Sequence, residues 1–283
     1  MKSSTPDLID LALREDIGEG DVTTDSFVSK ETTATARIVA RERAIVAGTK
    51  TAGEVFRRVD PDLKIKVLLK DGCEVNAGND VIQIQGSVRS ILKAERVALN
   101  FLQRLSGIAT MTRKFVDAAA NDHVKILDTR KTTPGLRALE KAAVVAGGGV
   151  NHRFGLFDMA LIKDNHLASI GGFDEFAKAV RNLRKSKPKL RIEVEADTLE
   201  QVRGFLEIDE IDVILLDNMT PAKIREAIAL GKNKKVKFEA SGGVTLQNVR
   251  QIAATGVDYI SIGAITHSAR SIDFSLEMTN AGA

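Results

Sequence analysis

The chain has few residues that could bind it together covalently. Its 283 residues include one cysteine, Cys73, which excludes a disulfide framework and a cysteine-based zinc site. No uncharged apolar run approaches the ~20 residues needed to span a bilayer. The opening stretch, MKSSTPDLIDLALRED, carries Asp7 and Asp10 and lacks an apolar segment, so it does not read as a secretory signal. The expectation is a cytoplasmic protein with a reduced thiol. An excess of one charge is also missing. The formal net charge is +3, and no long basic tract interleaves with aromatics, so nucleic acid is not the first expectation. Several catalytic signatures are absent: the phosphate-binding GxxxxGK[ST], the nucleophile elbow GxSxG, HExxH and paired CxxC. GGGV at 147–150 follows a helical pattern rather than a strand, so it is not a dinucleotide fingerprint. DIGEGDVTTD at 16–25 has glycines and carboxylates but not EF-hand spacing, and reads as a turn-rich connector.

What is present is ample material for a core, 43% apolar, at a length that suits two domains. Residues 5–15 read as a short amphipathic helix. Residues 33–40 and 63–69 alternate apolar with polar, as half-buried strands do, and 81–84 continues the pattern. Thr49–Val59 reads as a helix between the first two. Turn signals stand at Asp71-Gly72 and at 77–79. This first part is an α+β unit. Ser90–Asn121 then keeps helical spacing in Ile91, Ala94, Val97, Ala98, Phe101, Leu105 and Ile108, with a break expected near Gly107. Arg96 lies on or beside that stripe, as a snorkelling surface arginine or as an anion contact delivered to a neighbouring subunit.

Past residue 121 short β-rich runs alternate with helical patterns: 124–127, 159–162, 190–194, 212–216, 236–239 and 258–262. Repeated βα units argue for a parallel sheet with helices outside, and in a closed βα barrel the strand C-termini share one active face. The runs here end in Arg130-Lys131, Lys163-Asp164, Glu195, Asp217-Asn218, Ser241-Gly242-Gly243 and Gly263-Ala264. Between the first two runs a helix is expected, with Pro134 in its first turn and Gly147 at its end. Asn151, His152 and Arg153 follow it.

Arg130, Lys131, His152, Arg153 and Lys163 are costly to gather without anions, so they call for a ligand with several negative charges. The guanidinium forks of Arg130 and Arg153 suit planar carboxylates, with Lys163 as a point charge. Ser241-Gly242-Gly243, opening a helix near Thr245, and Gly263-Ala264 with His267 suit phosphate, because glycines let the backbone approach a ligand and helix N-terminal amides favour anions. Two readings stand for Glu195 and Asp217. They suit ribose hydroxyls or a Mg²⁺ carried by a phosphorylated ligand, or else they form salt bridges to the site's own cations.

The segments LREDIGEGDVTTD (13–25), ERVALNFLQRLSGIAT (95–110), DTRKTTPGLRALEKAAV (128–144), GGGVNHRFGLFDMALIKDNH (147–166), ILLDNM (214–219), SGGV (241–244) and GVDYISIGAITHS (256–268) resemble the quinolinate phosphoribosyltransferase family, the nicotinate-nucleotide pyrophosphorylases of NAD biosynthesis. The resemblance runs nearly end to end. It implies an N-terminal α+β sandwich domain at 1–108 and an irregular α/β barrel at 109–270, with 271–283 returning to the sandwich. It also implies a homodimer in which Arg96 reaches the neighbour's quinolinate, while leaving a hexamer open. By the same matching Arg130, His152, Arg153 and Lys163 hold the quinolinate carboxylates. Lys131 acts on phosphoribosyl pyrophosphate (PRPP) or on charge developing at the reacting centre. Glu195 and Asp217 address the ribose hydroxyls and Mg²⁺. Ser241, Gly242, Gly243, Gly263, Ala264 and His267 hold phosphate. No organic cofactor is implied. Ala240 departs from the pattern, where many relatives carry a second serine. Two alternatives remain: a phosphoribosyltransferase for a pyridine monocarboxylate, and an anion-binding relative of molybdenum-uptake proteins. The full cation set favours a dicarboxylate, because a missing carboxylate would leave a cation unpaired.

Overall fold

A computed structural model describes residues 5–279, with side chains from Leu8 onward. Residues 1–4 and 280–283, the latter part of the segment expected to return to the first domain, lie outside the described residues. The described chain forms two compact units. One holds the residues up to Arg113, Thr132–Gly148 and those from Ala264 on. The other holds Lys114–Lys131 and Gly149–Gly263. The segment 132–148 thus groups with the first unit.

The first unit is built on a four-stranded sheet in the order β12-β1-β5-β3. Its strands are β1 (Thr33–Ala40), β3 (Lys64–Val67), β5 (Asp80–Ser87) and β12 (Phe274–Thr279), and each neighbouring pair is antiparallel. A small ribbon, β2 (Ala44–Ile45) with β4 (Glu74–Val75), lies outside it. The alternation in β1 puts Ala36 and Ile38 fully inside, with Ile82, Ile84, Phe56, Ile91, Leu99 and Leu102. Each such aliphatic or aromatic side chain contributes roughly 1.5–3 kcal/mol on burial. The helix expected at Thr49–Val59 is present at those bounds. The connector expected at 16–25 is not all loop: a helix covers Val22–Phe27, because Asp21 accepts the Thr24 backbone N–H at 2.9 Å and caps it.

The long helix runs unbroken from Val88 to Ala119, 32 residues. Gly107 does not end it. A Cβ there would stand 2.0 Å from the carbonyl oxygen of Arg270, so the glycine is a crossing point for another stretch of backbone. Gly107→Ala is expected to destabilise the fold by about 3 kcal/mol, because backbone must move to admit the methyl group. Chemical denaturation would measure it, and an unchanged midpoint would refute the crossing as a constraint. The helix expected to begin at Pro134 begins at Arg137 and ends at Ala146, with Pro134 in the turn before it and Gly147 capping its end.

The second unit carries a six-stranded parallel sheet, order β6-β11-β10-β9-β8-β7. Its strands are β6 (Lys125–Leu127), β7 (Met159–Ile162), β8 (Arg191–Ala196), β9 (Val213–Asp217), β10 (Lys237–Ser241) and β11 (Tyr259–Ser261). These match the expected runs to within a few residues. Val150 bridges to Leu127 on the outer side of β6. Side-chain parity then divides the strands. Ile192, Val194, Ile214, Leu216, Phe238, Ala240 and Ile260 share one face and are buried. The opposite parity carries Glu193, Glu195, Asp217, Glu239 and Ser241. A strand interior with charges on one face and continuous aliphatics on the other has a core behind it and a working surface before it.

Candidate active site

All six strands are parallel, so the loops after them open on one side of the sheet. After β6, Asp128 is fully buried, while Arg130 and Lys131 are exposed. Asp128 anchors the next segment: its Oδ1 accepts the His152 backbone N–H at 2.9 Å, and its own N–H donates to the Val150 carbonyl at 3.3 Å. His152 and Arg153 are thereby fixed beside the end of β6. The Arg153 guanidinium donates to the Met159 carbonyl at 3.3 Å. Burial and the neighbouring Arg130 charge hold Arg153 below its usual proton affinity, while Glu193 and Asp158 act the other way. The two guanidinium groups are thus close enough to feel each other's charge, as neighbouring parts of one anion site would.

His152 is held by the protein at both ring nitrogens. Its side chain is only 8% exposed, and Nε2 faces inward. Nε2 lies 3.2 Å from Glu193 Oε2 and 3.5 Å from Glu239 Oε1, and Nδ1 accepts the Arg153 N–H at 2.7 Å. Burial lowers the ring's proton affinity, but the close carboxylates of Glu193 and Glu239 overcome it and push His152 up to about 9. Burial and the charge of Glu239 push Glu193 upward in turn. The acidic pair favours an imidazolium, whereas the Arg153 N–H favours a bare Nδ1. In both states Nε2 keeps its proton, the one facing Glu193.

Lys163 ends β7 and donates to Glu195 Oε2 at 2.5 Å. Both readings of Glu195 meet here, since the carboxylate expected at the ribose is paired with a cation of the site. Its neighbour Asp217, at the end of β9, accepts from the Asn218 amide at 2.7 Å and is partly exposed. Register sets Glu195 beside Leu215, two residues before Asp217, so both carboxylates share a face. Mg²⁺ takes oxygen ligands and retains waters. An accessible Asp217 with Glu195 close by fits an ion that arrives with a phosphorylated ligand. His152, Glu193 and Glu239 also place donor atoms within 4.8 Å of one another, but a buried cluster containing imidazole suits Mg²⁺ less well.

The glycine loop follows β10. Gly242 and Gly243 have φ of +87° and +60°, backbone that side chains strain to adopt. Asn218, itself at φ +51°, donates its N–H to the Ser241 carbonyl at 2.8 Å, and a Cβ on Gly242 would lie 2.2 Å from its side-chain oxygen. The loops after β9 and β10 are therefore one interlocked piece. The helix expected near Thr245 begins only at Val249 and ends at Ala253, so glycine backbone rather than a long helix carries the anion-binding argument here. Gly263 follows β11, and the Ile262 N–H donates to Leu127.

Arg96, Ala264 and His267 belong to the first unit. Arg96 is exposed on the long helix, between buried Ala94 and Val97. Ala264 and His267 bound a short helix, with the His267 ring 2.7 Å from the Ser268 hydroxyl. Reading only strand ends missed Glu193 and Glu239. The available signal was charge inside the strands RIEVEA and KFEAS, where a parallel sheet normally runs apolar.

Comparison with known proteins agrees with this architecture. The family model of the quinolinate phosphoribosyl transferase N-terminal domain matches residues 21–106, and that of the C-terminal domain matches 108–277. Among curated relatives, the chain is 43% identical to the mitochondrial quinolinate phosphoribosyltransferase [decarboxylating] 2 of Nicotiana glauca, covering 96% of this chain and 81% of that one. It is 44% identical to a probable nicotinate-nucleotide pyrophosphorylase [carboxylating] of Bacillus subtilis, covering 94% and 90%. The solved structure of NadC from Streptococcus pyogenes superposes with a TM-score of 0.92 at 39% identity, over 99% and 98% of the two chains. An α/β barrel preceded by an N-terminal α+β domain is thus the shared fold, and the chain belongs to the quinolinate phosphoribosyl transferase family.

Proposed function

We propose that this chain transfers the phosphoribosyl group of PRPP to quinolinate with decarboxylation, forming nicotinate mononucleotide, pyrophosphate and CO₂ in de novo NAD biosynthesis. The supporting observation is the gathering, after the strands of one parallel sheet, of Arg130, Lys131, Arg153 and Lys163 with the paired carboxylates and the glycine loop. Two polyanionic reactants would otherwise repel each other, and a preformed cation array holds them in reacting geometry.

Arg130, Arg153 and Lys163 address the two carboxylates and aim the ring nitrogen at the anomeric carbon. The N–C bond forms as the bond to pyrophosphate breaks, with oxocarbenium character at the sugar. The nitrogen carries no proton, so no base is required. Lys131 stabilises charge at the leaving group. Asp217 and Glu195 hold the ribose side, and the backbone of Ser241, Gly242 and Gly243, with Gly263, takes the 5′-phosphate. Mg²⁺ bound with PRPP would neutralise the departing pyrophosphate. The resulting pyridinium accepts the electron pair of the breaking C2–carboxylate bond, and a proton from solvent then fills C2. An exposed Arg96 is consistent with donation to a second subunit in a homodimer. No helix among the described residues is long and apolar enough to cross a membrane, which is compatible with the cytoplasm.

The test is turnover with quinolinate, PRPP and Mg²⁺, following nicotinate mononucleotide and CO₂ together, with nicotinate as a parallel substrate. Both products from quinolinate alone are expected. Product from nicotinate without CO₂ would overturn the dicarboxylate reading, and no product from either would favour an anion-binding protein.

A further inference from the structure

Glu193 and Glu239 take no part in the chemistry above, yet they are among the costliest side chains in the fold to bury. Each is 1% exposed, and the Oε1 of each lacks a hydrogen-bond partner. A leucine or methionine would fill comparable volume without desolvating a carboxylate. The two glutamates come from different strands and different levels. Glu193 on β8 stands opposite Val213, and Glu239 on β10 stands opposite Leu215. They nevertheless converge on one atom, His152 Nε2, at 3.2 and 3.5 Å.

The far side of the ring leads to the site. Nδ1 accepts the Arg153 backbone N–H at 2.7 Å, and the His152 N–H is held by Asp128 at 2.9 Å. The imidazole is thus a strut between a buried acidic base and the backbone of the arginine at the rim. Both its ends are engaged, and its side chain is nearly closed off from solvent. Such a ring passes position from the buried glutamates to the rim, because both of its nitrogens are engaged by protein atoms.

We propose that Glu193 and Glu239 are positioning residues of the pyridine-dicarboxylate site, acting through His152 to fix the place of Arg153. The inference rests on the proposed substrate. It differs from a purely structural role in sign. Removing an unsatisfied buried carboxylate should leave the melting temperature unchanged or raise it, while binding of the dicarboxylate weakens.

The experiment is a double-mutant cycle. Glu193→Leu and Glu193→Gln are each made in the wild-type and His152→Ala backgrounds, and the KM values for quinolinate and PRPP and the melting temperature are measured. In the wild-type background Leu should raise the quinolinate KM about tenfold, the worth of one hydrogen bond to a charged group. Gln retains an acceptor for Nε2–H and should restore most of that loss, with the PRPP KM within about twofold. In the His152→Ala background neither change should have a further effect. Equal losses in both backgrounds, or a quinolinate KM unmoved in either, would overturn the positioning role. If the Leu variant does not fold, Glu193→Met takes its place in both backgrounds. A wild-type chain that turns over no quinolinate would instead overturn the substrate reading, and is told apart by that control.

Discussion

Gly242→Ala is expected to lower kcat/KM for PRPP on the order of a hundredfold or more. The glycine sits at φ +87°, where an L side chain costs about 1–2 kcal/mol. The added methyl group would also stand 2.2 Å from Asn218 Oδ1 and 2.5 Å from its Cγ. Overpacking of that kind costs about 1–3 kcal/mol when neighbours must shift. Asn218 has little room to yield, because its N–H is tied to Ser241 and its amide to Asp217. The shift would therefore pass to the Asp217 carboxylate at the proposed ribose site. The loss should appear in the PRPP KM and in kcat, with the affinity for quinolinate nearly kept. Steady-state kinetics with each substrate varied in turn would check it. Wild-type kinetics in a folded variant would show that the loop is not at the phosphate.

Lys131→Ala is expected to reduce kcat by roughly 10²–10³-fold, the usual effect of removing one preorganised charge aimed at a transition state. Lys131 is exposed in the loop after β6, where its backbone N–H donates to Thr129 Oγ1 at 3.0 Å. Arg130, next to it, is the residue within range of Arg153. Quinolinate would meet the arginine pair, leaving Lys131 for charge that grows as pyrophosphate departs. The quinolinate KM should therefore change by no more than about threefold, since ground-state contacts persist. Single-turnover measurement would separate chemistry from release, and near-normal turnover would refute the role.

Much of this was legible in the sequence, for identifiable reasons. The barrel strands are short aliphatic runs cut by polar residues, and period and punctuation place them well. The Thr49–Val59 helix was legible because its apolar positions recur at helical spacing. Gly107 misled because a glycine in a helix reads as weakness when it can equally mark a close crossing, and Arg270 lies more than a hundred residues away in sequence. The Val22–Phe27 helix was hidden because Asp21 looked like one more loop carboxylate until its cap was visible. In the site the strand-end cations were legible as a set, since five of them gathered at the ends of neighbouring segments are conspicuous in any chain. The inward glutamates were not, because their partner His152 lies on a loop between other strands and only three-dimensional convergence reveals it. The pairing of Lys163 with Glu195 was an open alternative in the sequence, and only coordinates could bring the two ends together.

That pairing changes what an affinity at this site measures. The Lys163 ammonium already has a carboxylate partner, at 2.5 Å and with its own side chain 46% exposed. An incoming carboxylate does not meet a bare cation. It enters an exchange, in which one ion pair is given up for another. On the proposed reading the net gain from Lys163 is then the difference between two similar attractions, and is small. Removing Lys163 would then cost less affinity for the acid than its charge suggests, and would show instead in the fate of Glu195, which the proposed exchange frees toward the second reactant in the same event that seats the first.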